Sequence, residues 1–343
     1  MTALALKTRG RNGLLRLALI AGLDRLLAPR RIGKLVILCY HGIRSKDSTP
    51  ALSFSRRNPP VDVFERQLLW LKQYNYQFIT LSEAVARWEQ GRPLPDRAVC
   101  LTFDDGYQNV IANAYPIMQR LGACGCLYVI AGLPDSERFT WTDVVEMALW
   151  VSKGRAFALN GNHCYILNTT RDILGAVEQI EAYLRSIPDR ERLSYMPRFE
   201  QVLRESIPTS DWMRELKPAS WESLASLDSE IMEIGSHSWS HPNLDRVAEE
   251  DLGKEVHDSK RRIEERIGRQ VLHFCYPCGA FTPTVQRYVR QAGYLTATST
   301  LPGLNDAGAD RFALRRYMIY SDMTLFRGHV TGVHGFLFGR SMT

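Results

Sequence analysis

From Lys34 onward, short apolar runs alternate with amphipathic segments, and this βαβ rhythm confines the chain to a parallel barrel or a parallel sheet. Lys34-Leu35-Val36-Ile37-Leu38-Cys39 opens the series as a strand, followed by a loop rich in Ser, Pro and Arg. A helix comes next, with Asp62 as its cap, Glu65 completing a capping box, and Phe64, Leu68 and Leu71 facing inward. Ser82 and Gly91 bracket another helix. The run Ala98 to Phe103 reads as a strand, then come a helix stopped by Gly122 and a strand from Cys126 to Ile130. Further along, strands are predicted at Ile231–Gly235 and Val271–Cys275, with a long charged helix from about Glu249 to Ile267 between them. A helix closed by Gly293 follows. Residues from about 134 to 220 break the rhythm, reading as several helices joined by Pro and Gly, and are expected to form an insertion. Its Trp141 and Trp221 ends are expected to pack near the mouth of the main domain.

The chain has 343 residues, 45% hydrophobic and 23% charged, enough to bury a large core, which argues against disordered and membrane-spanning classes. Its formal charge of +6 is spread among interleaved acids, as in Lys260–Arg266, the pattern of a solvated helix face. No nucleic-acid partner is expected. Seven cysteines give no disulfide framework, since Cys39, Cys100, Cys124, Cys126 and Cys275 sit in apolar runs as small core residues. Residues 1–33 hold Lys7, Arg9 and Arg11 ahead of an apolar stretch interrupted by Arg16 and Asp24-Arg25. That stretch is shorter than the roughly 20 residues of a membrane span. It reads as an amphipathic helix that docks on the domain or lies on a membrane surface, placing the protein in the cytoplasm or peripherally at the inner membrane, with export left open.

Two adjacent carboxylates, Asp104 and Asp105, end the strand at Phe103 and are closed off by Gly106. Like charges side by side call for a cation, a proton or both. A second cluster, His237-Ser238-Trp239-Ser240-His241-Pro242, follows another predicted strand, and a turn can point both imidazoles at one ion. Pro242 favours such a turn over a regular helix at His241. Two histidines with one carboxylate make the layout of a hydrolytic zinc site. Two further strand ends deliver Tyr276-Pro277-Cys278-Gly279, a tight turn whose amides can face a ligand, and Tyr40-His41-Gly42.

In this order, Thr102-Phe103-Asp104-Asp105-Gly106, the His237 to His241 segment and the Tyr276 turn resemble polysaccharide deacetylases with a NodB-homology domain, carbohydrate esterase family 4. The Tyr40-His41-Gly42 start resembles the branch containing poly-β-1,6-N-acetylglucosamine deacetylases. The resemblance runs over about residues 34 to 300 and implies a distorted (β/α)7 barrel with the helical insertion, a divalent metal, usually zinc, and removal of N-acetyl groups from aminosugars in a polysaccharide, oligosaccharide or glycolipid. It also implies Asp104 as general base, Asp105, His237 and His241 as metal ligands, and the Tyr276-Pro277-Cys278 turn as oxyanion site. Two departures stand out. Cys275 occupies the place of a motif arginine that orients the base, and Arg316 is the expected substitute. No clear carboxy-terminal acid motif is present; in the branch this chain resembles the acid comes from the amino-terminal strand, so the resemblance implies His41 as general acid, with His334 next in line. Another amide hydrolase on the same fold, or an inactive glycan-binding protein, are the alternatives.

Overall fold

The computed structural model describes residues 3–27, 31–46, 58–160, 163–206 and 210–339. The Ser-, Pro- and Arg-rich loop after the first strand, and the side chains of Lys7 and Arg9, fall largely outside them. The apolar runs become strands β1 (Val36–Tyr40), β2 (Gln77–Phe78), β3 (Ala98–Phe103), β4 (Gly125–Val129), β7 (Met232–Ser236), β8 (His273–Cys275), β9 (Thr296–Thr298) and β10 (Tyr317–Met318). All pair in parallel, in the order β10-β1-β3-β4-β7-β8-β9, with β2 beside β3. The stretch before β10 links the two ends of the curled sheet, because Leu314 donates its N–H to Ala297 O at 2.9 Å and accepts from Ser299 N–H at 2.8 Å. The predicted distorted barrel is thus the architecture observed.

Strands β1, β3 and β4 are buried at every position, as parallel strands covered by helices must be. Alternate residues divide the labour. Leu38, Tyr40, Leu101 and Phe103 join the cluster that packs against the helix Val61–Gln73, where the Phe64 ring meets Tyr40 edge-on at 5.3 Å. The opposite set, including Cys39, Cys100, Thr102, Cys126 and Cys275, is small and fully buried. That choice leaves room inside the barrel for one long side chain, Arg316, which is 1% exposed.

Local expectations are refined at three points. Asp62 is not the cap, because Pro60 occupies that position without a side-chain bond and the helix begins at Val61; Asp62 sits inside the first turn, bonded to Arg66 at 2.8 Å. The segment from 134 to 220 is not purely helical: β5 (Ala156–Asn160) and β6 (His163–Ile166) form an antiparallel hairpin between the helices Trp141–Val151 and Thr170–Ser186. The long charged helix runs without a break from Leu252 to Ile267 but widens into a π-helical turn at Lys254–Asp258, and only its start at Glu249–Asp251 is a 3-10 turn.

At the amino end, the helix Ala3–Ile20 docks on the helices Met323–Thr331 and Val333–Phe338 through Leu15 and Leu19. Gly328 makes the close approach feasible, since a Cβ there would lie 2.8 Å from Leu15. Arg31 fixes the segment by donating to the carbonyls of His329 (3.1 Å) and Val330, near the end of a helix where its charge meets the favourable pole of the dipole.

Candidate active site

Four strand ends converge at one end of the barrel, and each contributes a residue singled out in the sequence. β3 delivers Asp104 and Asp105, which are 4% and 7% exposed. β7 delivers His237 and His241, also buried. The His237 and His241 Nε2 atoms lie 3.6 and 3.4 Å from Asp105 Oδ1, and the three ligand atoms fall within 4.8 Å of one another. His237 Nδ1 is 2.8 Å from the Cys275 carbonyl, which can only accept, so Nδ1 carries a proton and Nε2 is the atom turned to Asp105. Burial, and then the neighbouring His237, hold the His241 imidazole well below its ordinary range, so it is neutral. Two imidazoles and a carboxylate with converging donor atoms fit a divalent cation of the zinc type.

The backbone carries unusual torsions at this point. Asp105, His241 and Cys278 all have positive φ, at 71°, 62° and 55°, a conformation that side-chain-bearing residues rarely adopt outside tightly held sites. At His241 the left-handed torsion departs from the extended one that a following proline favours, and Ser238 Oγ, accepting from the His241 N–H at 3.0 Å, helps hold the turn. Gly106, at φ 72°, sits with the Val129 backbone 3.3 Å from where a Cβ would be, which explains the glycine after the aspartate pair.

Asp104 faces into the barrel. Arg316 donates from Nη1 to its Oδ1 at 2.7 Å and from Nη2 to its Oδ2 at 2.8 Å. The guanidinium is held in turn by Ser299 O (3.0 Å), Thr102 Oγ1 (3.1 Å) and Cys275 Sγ (3.0 Å). Burial alone would raise the Asp104 carboxyl, but Arg316, and after it His237 and His41, hold it far below the usual carboxylate range. The thiol of Cys275 therefore marks the space a motif arginine would fill, and Arg316 reaches it from the segment before β10.

His41 follows β1 directly and is partly exposed; its field reaches both Asp104 and His241. Gly42 beside it is pressed by Asn58 and Asn109, each within 3.0 Å of a notional Cβ, and their side chains fasten the turn through Gly42 N–H and Ile43 N–H. Tyr276 stacks on Phe281 at 4.6 Å and donates to Phe312 O at 2.9 Å, and Pro277 is buried, so both shape the Cys278 turn through packing. His334 is not in this cluster. It meets His329 edge-on at 4.6 Å and lines a cavity of about 700 Å³ that reaches Cys278 and Arg316.

Beyond the motif residues, Trp141 meets the site as expected of the segment's start, while Arg185 and Glu255 carried no readable signal. Trp141 Nε1 donates to the His241 carbonyl at 2.9 Å, so one end of the 134–220 segment does reach the site, whereas Trp221 packs under Arg262 and Arg266. Arg185, paired with Glu181 at 2.5 Å, approaches the Cys278 thiol. Glu255, in the π-helical turn Lys254–Asp258, accepts from Trp239 N–H, Ser240 N–H and Ser240 Oγ, and so fastens the loop between the two histidines.

An arginine-held carboxylate beside three groups that could hold a metal ion, at the strand ends of a parallel barrel, is an arrangement suited to hydrolysis. A family model for polysaccharide deacetylases matches residues 91–186 and 195–297, more than half of the chain. The chain belongs to the polysaccharide deacetylase family, and is accordingly an enzyme acting on carbon–nitrogen bonds in linear amides. YxkH of Bacillus subtilis, named for the same family, is 21% identical over 291 residues, covering 85% of this chain and 73% of that protein. The poly-beta-1,6-N-acetyl-D-glucosamine N-deacetylase of Staphylococcus epidermidis is 26% identical over 183 residues, or 47% of this chain and 63% of that one. The structure of the Streptococcus pyogenes deacetylase PplD in complex with acetate shares the fold, with a TM-score of 0.57 at 18% identity over 86% of this chain and 98% of that chain.

Proposed function

We propose that this protein hydrolyses the acetamide of an N-acetylated aminosugar within a polysaccharide, oligosaccharide or sugar-lipid, releasing acetate and a free amine. The observation that carries the reading is the Arg316–Asp104 pair standing beside the converging Asp105, His237 and His241. The named activity of the Staphylococcus epidermidis relative supports an aminosugar polymer as substrate.

Asp105, His237 and His241 would hold the divalent ion, with zinc favoured by their mixed nitrogen and oxygen donors. When bound, the ion acidifies a water and polarises the acetamide carbonyl. Asp104 accepts the proton of the attacking water on a lone pair that Arg316 leaves open, since a carboxylate has about four acceptor sites. Arg316 fixes the orientation of that carboxylate and keeps it ionised. The amide of Cys278 donates to the oxygen that gains charge as the carbonyl carbon becomes tetrahedral. His41, protonated, gives its proton to the departing nitrogen as the carbon–nitrogen bond breaks. Water is thereby divided between the acyl carbon, which becomes acetate, and the amine. The cavity beside Cys278 offers the neighbouring sugars a place to lie. The N-terminal helix belongs to the same reading as a peripheral attachment to a membrane surface.

The test is acetate release by zinc-reconstituted protein from N-acetylglucosamine oligomers of different linkage and from N-acetylated sugar-lipids. Release from these supports the proposal. Hydrolysis of small non-sugar amides alone, or glycan binding without release, would replace it.

A further inference from the structure

The helix Ala3–Ile20 is apolar on two sides, and only one of them is used for docking. Leu15 and Leu19 are buried against the body of the protein. On the outer side, Leu14, Leu17 and Ile20 recur at three-residue spacing and are 50%, 65% and 75% exposed, and Leu26 of the short helix Leu23–Leu27 is 75% exposed beside them. A helix that only had to dock would carry polar residues there. Arg16 and Arg25 are exposed on the same outer surface.

Charge gives this face a partner. Residues 1–34 contain eight Lys and Arg against one acid, a net of +7, while the remaining 309 residues hold 35 basic and 36 acidic side chains, a net of −1. The whole positive excess of the chain lies at this end, which corrects the expectation that it is dispersed. Among the described residues no helix is long and apolar enough to cross a membrane. An exposed leucine and isoleucine stripe bordered by arginines is the design of a helix lying in the headgroup region of an anionic bilayer.

We propose that Leu14, Leu17, Ile20 and Leu26, flanked by Arg16 and Arg25, seat this protein on an anionic phospholipid surface. The proposal rests on the peripheral attachment included in the functional reading, but it is measured without reference to deacetylation. Purified full-length chain is sedimented with vesicles of phosphatidylcholine alone and with vesicles containing about one-third phosphatidylglycerol. The expected result is pelleting with the anionic vesicles only, weakened by added salt, with the bound fraction lowered about tenfold by Leu17→Asp and by the paired Arg16→Glu and Arg25→Glu. Leu26→Asp serves where Leu17→Asp does not fold, as judged by circular dichroism. Acetate release from a soluble oligosaccharide is read on the same variants and is expected to be unchanged, so a failure of catalysis and a failure of vesicle binding are separate outcomes. Absence of pelleting with anionic vesicles overturns the proposal, as does equal pelleting with neutral ones. A dimer that Leu17→Asp splits, without vesicle binding, would assign the face to a second copy of the chain.

Discussion

Arg316 closes a two-point grip on Asp104 from 212 residues further along the chain, meeting both carboxylate oxygens inside the barrel. A lysine can supply the charge but not the fork. Arg316→Lys is therefore expected to lower kcat by about 10-fold or more while the protein stays folded, and Arg316→Met to destabilise it by about 3–5 kcal/mol by leaving Asp104 buried and unpaired. Steady-state kinetics and urea unfolding check the two outcomes. Normal turnover in Arg316→Lys would remove the arginine from the base assembly.

Loss of metal should follow loss of either histidine. His237→Ala and His241→Ala are expected to reduce bound zinc strongly after reconstitution, read by elemental analysis, and chelator treatment of the wild type should abolish acetate release until zinc is returned. Retained stoichiometry in both variants would place the ion elsewhere.

His41→Ala is expected to cut turnover by about 10²-fold or more, with metal content and thermal stability nearly intact. A packing residue would show the reverse pattern, reduced stability with normal turnover per folded molecule. In that case His334, beside the cavity that reaches Cys278, becomes the residue to substitute.

Arg185→Ala tests whether the 134–220 segment reaches into the chemistry. Because the guanidinium stands by the Cys278 thiol, its loss is expected to raise KM on oligosaccharides several-fold more than on a monosaccharide, with metal content unchanged. An equal effect on both substrates would assign it a packing role with Trp141, which lies 5.8 Å from it.

His329 gives the protein a pH-dependent stability away from the metal ligands. Burial, and then the neighbouring His334, push its imidazole down to about 4. The unfolded chain takes up that proton below about pH 6.5, while the folded one refuses it. The contribution is whole above pH 6.5 and is lost as the pH falls toward 4. His329→Gln should flatten the fall in melting temperature over that interval; an unchanged slope would point to other groups.

The barrel was readable because its strands are local apolar runs, and the site because acids and histidines stand directly after them. Arg316 was named because Cys275 stands at the motif arginine's place and related sequences carry an arginine before an apolar run near Arg316, and the structure places its guanidinium on both oxygens of Asp104. Glu255 was hidden for a physical reason: it lies in a charged stretch that reads as solvated, and it is in the widened π-helical turn of that helix that its carboxylate meets the Trp239 and Ser240 amides. Arg185 was hidden because its partner Cys278 is about a hundred residues away in sequence, beyond any periodicity. The hairpin at β5 and β6 escaped because its alternation is short and set between strong helices.

The sulfur-lined interior has a practical consequence for chemical labelling. Burial pushes the thiols of Cys39, Cys100, Cys126 and Cys275 upward, that of Cys278 likewise, and that of Cys124 up to about 12, so their nucleophilic thiolates are scarce near neutral pH. Cys164, on the β6 strand of the hairpin, is exposed. Maleimide reagents applied to the folded enzyme will therefore mark that hairpin first, giving a site for a single fluorophore that leaves the catalytic end untouched.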